Sequence, residues 1–276
     1  MSLDRLLEKV YELPSIPKVV QELIASFSSH VADAASISRN IHTDPVIAAK
    51  VLRLANSARY GAGGNIASLD TAVVMLGFDT LKTLVVASGV TSVMAKIPGL
   101  DMKAFWRQSF MVANLSKMVA KSTKELDPEI AFTCGMLHNI GIALMYLGHT
   151  DEMKAFEQSL QPGDNRTELE HRRFGYTNTE VSSNLARIWR FPPIIQDALL
   201  NQLSPLAVDP PSHYAATIKL AVCLNRSLEE REENEQIISS LPESLVEALH
   251  VDTYKLFDQL KLMCDAEDDI DSLLAA

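Results

Sequence analysis

Apolar residues recur at helical spacing along almost the whole chain, and the strict apolar-polar alternation of a half-buried strand is nearly absent. After the segment Leu13-Pro14-Ser15-Ile16-Pro17, the run from Pro17 to Phe27 sets Val20, Leu23, Ile24 and Phe27 at i, i+3, i+4 and i+7. That is one apolar stripe on an amphipathic helix, and the opening proline suits a first turn. Asp44-Pro45 predicts a second start, because the carboxylate accepts first-turn amide hydrogens and proline has none to satisfy. This helix reads VIAAKVLRLANSARY and stops at Gly61, in the turn-like GAGGN. Ser68, Asp79, Asp101 and Asp127-Pro128 predict four more starts, the last opening EIAFTCGMLHNIGIALMY as one helix. Thr167 is the expected cap of ELEHRRF. Helices over Glu180–Trp189 and Ile194–Leu203 are parted by the Phe-Pro-Pro break, and PSHYAATIKLAVCLNRS, PESLVEALH and TYKLFDQLKLMC give three more. No solenoid period is visible, so the pattern predicts an all-α fold, a compact multi-helix bundle.

Composition fits a packed core of this kind. The 276 residues are 47% apolar and 22% charged, a balance that excludes disordered and collagen-like chains. Folding a chain of this length hides about three quarters of its unfolded surface, so stability requires neither a disulfide nor a structural metal. Charge is lopsided: residues 228–276 hold 14 acidic and 3 basic side chains, whereas the preceding 227 hold 21 and 22. A net charge of −10 concentrated there argues against nucleic acid as a partner, because neutralising phosphates takes a surplus of Lys and Arg. The acidic segment reads as a solvated face, the alternative being a docking tail for a basic partner. Just upstream, the two prolines of LAVDPPSHY break the helical pattern. They divide the chain into a helical domain over residues 1–208 and an acidic helical extension over 209–276. The extension is expected to pack back on the body, since Leu245, Val246, Leu249, Leu256, Phe257, Leu260 and Met263 otherwise expose two apolar faces.

Cys134, Cys223 and Cys264 lie far apart without metal-finger spacing and read as reduced thiols, Cys134 as a small buried hydrophobe. The N-terminal MSLDRLLEKV lacks the apolar core of a secretion signal, and the charge-free stretch from Thr83 to Ala95 is too short to span a bilayer. A cytoplasmic protein with no membrane partner is expected. GAGGN lacks the Lys-Ser/Thr ending of a phosphate loop, and no GxSxG elbow occurs. His171, Arg172 and Arg173 form a short basic cluster, while His42, His149, His213 and His250 are scattered without metal spacing. Trp106 and Trp189 read as anchors in the bundle.

The residues most suited to chemistry sit in GMLHNIG, where His138 and Asn139 place two polar groups in a strongly apolar helix and must find partners there. Around them, LPSIP, TDPVIAAKVLRLANSARYG, SLDTAVVMLGFDTLKTLVV, FWRQS, AFTCGMLHNIG and FGYTNTEVSSNLARIWRFPPIIQDAL together resemble the HDOD domain. This is a bacterial signalling module related to the HD-domain metal-dependent phosphohydrolases, and the likeness runs from about Leu13 to Leu203. It implies an HD-domain-like core with an N-terminal helical subdomain. In catalytic relatives an adjacent His-Asp pair, an earlier His and a late Asp hold the metal. At the matching positions this chain has His138 with Asn139, Gln108 and Val222, and Asn178 and Gln202 stand where relatives often have histidines. Neutral amides are weak ligands and valine is none, so one imidazole survives without anionic charge. The resemblance therefore implies no metal, no cofactor and no catalytic residue here.

A second candidate is the face carrying Lys50, Arg53, Asn56, Ser57 and Tyr60, where two cations one turn apart with an amide and a hydroxyl suit an anion or an acidic partner segment. The alternative is a solvated face on which Asn56 and Ser57 bond locally. Three functions are then open. The first is a non-catalytic signal-transduction or adaptor domain that binds another signalling protein, with a homo-oligomer as a further possibility. The second is a metal-dependent phosphohydrolase or phosphodiesterase acting on a nucleotide, with His138 as the surviving ligand. The third is a nucleotide-binding sensor in which Gln108, His138 and Asn139 hydrogen-bond the ligand.

Overall fold

The computed structural model describes residues 1–26, 41, 45–56, 66–161 and 163–261, and among these there is no strand. The helices are α1 (Leu3–Glu8), α2 (Lys18–Ser26), α3 (Pro45–Ala55), α4 (Leu69–Leu76), α5 (Phe78–Val93) and α6 (Met102–Lys121). They continue as α7 (Pro128–Leu137), α8 (Ile140–Gly148), α9 (Thr150–Ser159), α10 (Arg166–Phe174), α11 (Asn178–Ile188) and α12 (Pro193–Asn201). The chain then forms α13 (His213–Glu229), α14 (Asn234–Ser239), α15 (Glu243–Ala248) and α16 (Thr253–Lys261). The all-helical architecture is the one the sequence predicts.

Several helices begin for the reasons the sequence supplies. Asp101 and Asp127 each accept two first-turn amide hydrogens, and Pro128 occupies the position after the Asp127 cap. Ser68 caps α4 through the Thr71 amide. Three boundaries differ. Asp79 lies inside the first turn of α5, because Gly77, at φ 80°, takes the reversal between α4 and α5 that a side chain would oppose. Asn165, not Thr167, caps α10. Helix α11 starts at Asn178, earlier than the expected Glu180, because Thr177 and Glu180 form a reciprocal capping box. Helices α1, α9 and α14 escaped the sequence reading altogether.

The largest correction concerns 128–148. The sequence reads as one helix through His138 and Asn139, but the structure breaks it there into α7 and α8. Among the described residues the span Pro128–Gly148, which contains this break, is long and apolar enough to cross a bilayer, and most of it is buried inside the protein. It forms the central layer of the fold. Helix α7 packs along α6 and α8 packs on α11, while α12 and α13 close the far side.

Two apolar cores result. The larger runs from Leu6 and Val20 through Leu84, Phe110, Phe132 and Leu144 to Leu199. Val20, Leu23 and Ile24, the predicted stripe of α2, are fully buried in it, and each such side chain contributes about 1.5 to 3 kcal/mol. Phe27 and Met263 lie outside the described residues. The smaller core joins Val112, Leu115 and Val119 of α6 to Leu220 and Leu224 of α13, to Leu245 of α15 and Leu249 just after it, and to Leu256 and Leu260 of α16. Cys134 is buried and its thiol is pushed up by that burial, which suits a packing role.

Candidate functional site

The break between α7 and α8 sits where three helices approach closely, and two glycines permit the approach. A Cβ on Gly135 would lie 2.7 Å from the Ala113 Cα and 2.8 Å from the Val112 carbonyl of α6. A Cβ on Gly141 would lie 2.1 Å from the Asn178 carbonyl of α11. Between these two contacts His138 is only 2% exposed.

The Gly135 carbonyl, Gln202 and Ser182 hold this geometry around His138. Its ring Nδ1 lies 2.7 Å from the Gly135 carbonyl, which can only accept, so Nδ1 carries the proton and Nε2 keeps the lone pair. The His138 carbonyl accepts from Gln202 Nε2 at 2.9 Å and from Ser182 Oγ at 3.4 Å. Ser182 Oγ in turn accepts the Gly141 amide hydrogen at 2.9 Å. One serine thus ties α11 to both sides of the break.

Burial disfavours the imidazolium and pushes the His138 pKa down to about 4, against the smaller opposing effect of the Gly135 carbonyl. An unfolded histidine titrates near 6.5, so as pH falls below that value the unfolded chain takes up a proton that the folded chain refuses until about pH 4. Stability therefore falls with pH across this window. Urea titrations should show the protein losing about 2 to 3 kcal/mol more than His138→Gln does between pH 7 and pH 4. Parallel profiles for the two proteins would refute this.

Of the other positions drawn from the sequence, Asn139 is half-buried in the break and its side chain makes no capping bond to α8. Asn178 is buried, and its amide Nδ2 faces Glu170 at 2.9 and 3.2 Å. Gln108 is exposed on α6 and Val222 is 40% exposed on α13, and neither makes a hydrogen bond to His138. The structure therefore brings together His138 and Gln202, places Asn178 in a separate network, and leaves Gln108 and Val222 on the surface.

That network is the main feature the sequence reading missed. Glu170 is fully buried on α10. It accepts from the Asn178 amide N–H at 2.7 Å and from Asn178 Nδ2, and pairs with Arg166 Nε at 2.6 Å. Arg166 also grips Glu157 at 2.5 and 3.1 Å. The Arg166 to Glu170 spacing of four residues was the available signal. Both oxygens of the Glu170 carboxylate accept hydrogen bonds inside this network.

The second candidate surface is only partly described. Arg53 is exposed on α3; the Lys50 side chain, Ser57 and Tyr60 lie outside the described residues. Asn56 behaves as the local-bonding alternative requires. Its Nδ2 donates to the Leu52 carbonyl at 2.8 Å and the Ile66 carbonyl at 2.7 Å, and its Oδ1 accepts the Ile66 amide hydrogen at 2.8 Å. The amide clasps the chain across residues 57–65 and has little capacity left for a partner.

The sequence profile of the HDOD domain matches residues 13–205, close to the limits read from the motifs. The chain belongs to the HDOD family. A candidate phosphohydrolase from Shewanella amazonensis is 32% identical, with a TM-score of 0.84 over 98% of this chain and 97% of that one. A signal transduction protein candidate from Marinobacter aquaeolei shares the fold at 23% identity and a TM-score of 0.78, over 98% of this chain and 60% of that one. An uncharacterized protein of Treponema pallidum is 23% identical over 238 residues, 85% of this chain; the chain spans about half, 46%, of that relative's length. The HDOD fold's relation to metal-dependent phosphohydrolases makes a divalent cation the group to test against this site. The residues do not fit one. His138 retains the ligand-competent tautomer, but no carboxylate accompanies it, and among the described residues no three His, Cys, Asp or Glu side chains cluster as a metal site requires.

Proposed function

We propose that this HDOD chain is a non-catalytic signal-transduction domain that acts by binding another protein. The observation that carries the reading is the use of the polar groups around His138. The imidazole Nδ1, Gln202 and Ser182 hold main-chain groups at a helix break, and Asn178 holds a buried glutamate. Of the positions that the family resemblance offers as ligands, His138, Asn178 and Gln202 are occupied in fastening helices together. A fold fastened in this way offers surfaces rather than a reaction centre, and the name of the Marinobacter aquaeolei neighbour fits a signalling role.

The phosphohydrolase reading has one observation in its favour, the free lone pair of His138 Nε2 that its hydrogen bond to Gly135 leaves available. A thermal melt of metal-stripped protein, with and without Mn, Zn or Mg, separates the two. A cation at a thousand times its dissociation constant stabilises by about 4 kcal/mol, which for this size is a rise of roughly 8 to 16 °C. We expect no rise with any of the three. A rise abolished by His138→Ala would replace the binding domain with a hydrolase.

A further inference from the structure

We infer that the cleft between the Leu13–Pro17 segment and the end of α11 is the docking groove for an extended, acidic peptide segment of a partner protein. This deepens the protein-binding reading above and rests on it. The cleft holds about 460 Å3, within the range of pockets that take small ligands or a few side chains of a peptide. Val10, Leu13 and Ile16 form one apolar wall, and Ile188 and Trp189 the other. Tyr11 stands beside them with 82% of its surface in water, a large amphipathic ring without a partner in the fold.

Two features specify the occupant. The first is the backbone of the groove's floor. Leu13 is extended, at φ −77° and ψ 154°, and the amide hydrogens of Ser15 and Ile16 make no hydrogen bond within the described chain. The neighbouring groups are engaged: the Leu13 amide hydrogen by the Val10 carbonyl at 3.2 Å, the Ile16 carbonyl by Gln21 Nε2 at 2.7 Å, and the Pro17 carbonyl by the Val20 and Gln21 amides. Two free main-chain donors beside apolar pockets are what the carbonyls of a peptide backbone pair with, and what a compact apolar small molecule leaves without a partner.

The second is Arg190. It lies on the groove's rim at φ 61°, a left-handed conformation that a residue with a side chain adopts at a cost and that glycine supplies freely. The turn itself requires this conformation, because the Arg190 and Phe191 amides bond back to the Arg187 and Ala186 carbonyls to close α11. Arg190 is exposed and forms no ion pair among the described residues. An arginine in a turn where glycine fits better, at the mouth of an apolar groove and without an ion pair among the described residues, suits a carboxylate adjoining an apolar side chain.

The test selects a random dodecapeptide phage library on the full chain and measures the enriched peptides by fluorescence anisotropy. Enriched sequences should place Asp or Glu beside apolar residues, and Arg190→Gly should weaken their binding at least tenfold while its melting temperature stays equal or rises. Tyr11→Ala, a change at an exposed position, should weaken the same peptides. The inference is overturned by no enrichment, by peptides without acidic residues, or by peptides that bind Arg190→Gly as well as the parent. Arg190-dependent binding of laurate in place of peptides would overturn it in favour of a small amphiphile. None of these outcomes depends on metal, so loss of the groove leaves the non-catalytic reading standing, and a metal-induced melting shift would remove that reading by itself.

Discussion

Glu170→Ala is expected to destabilise the protein by about 3 to 5 kcal/mol, the range for removing one partner of a buried charged pair. The carboxylate has no contact with water and three groups depend on it: the Asn178 N–H, the Asn178 side-chain amide and the Arg166 guanidinium. With alanine in its place the two Asn178 donors lose their acceptor inside the fold, and each such loss costs about 1 to 3 kcal/mol. Glu157 still holds Arg166, which keeps the guanidinium from being wholly uncompensated. Glu170→Gln should also destabilise, because its NH2 meets only donors. A urea titration reads the effect as a lower midpoint at unchanged slope, and a loss under 1 kcal/mol for the alanine variant would show that the network is dispensable.

Gly141→Ala follows, at about 3 to 4 kcal/mol, above the usual cost of one added methyl because the obstruction is backbone. The new Cβ would meet the Asn178 carbonyl at 2.1 Å and the Ser182 amide nitrogen at 2.8 Å, so α8 and α11 must separate. Separation also strains the Gly141 amide bond to Ser182 and, through Ser182, the bond to the His138 carbonyl. For a chain of this length the melting temperature should fall by roughly 6 to 16 °C. A variant that melts within 2 °C of the parent would mean that the helices slide apart without penalty.

These two positions also mark what sequence reading reaches and where it stops. Helix starts at Ser68, Asp101 and Asp127 were legible because a cap acts within one turn, and the α2 stripe was legible because its period is local. The break at His138 was not, since Ser182 and Gln202, 44 and 64 residues away, help to hold it. Glu170 shows the limit most clearly. Arg166 and Glu170 have the same four-residue spacing as Glu168 and Arg172, yet one pair includes a fully buried acid and the other lies in water. Spacing predicts that two charges meet, not which side of the helix faces the core. At the candidate site the residues alone offered Gln108 and Val222 beside His138, and the structure leaves both on the surface, while the structural duties of Asn178, Gln202 and Asn56 required the neighbours that only folding supplies.

Helix α6 gives Phe110 and Ala113 to the larger core and Val112, Leu115 and Val119 to the smaller, so the two cores share one wall. The acidic C-terminal helices are therefore the roof over that wall's reverse side, and their negative charge is its weatherproofing. Shortening the chain to its HDOD-matching part would remove α13 together with the helices after it and bare Val112, Leu115 and Val119 along α6 to water.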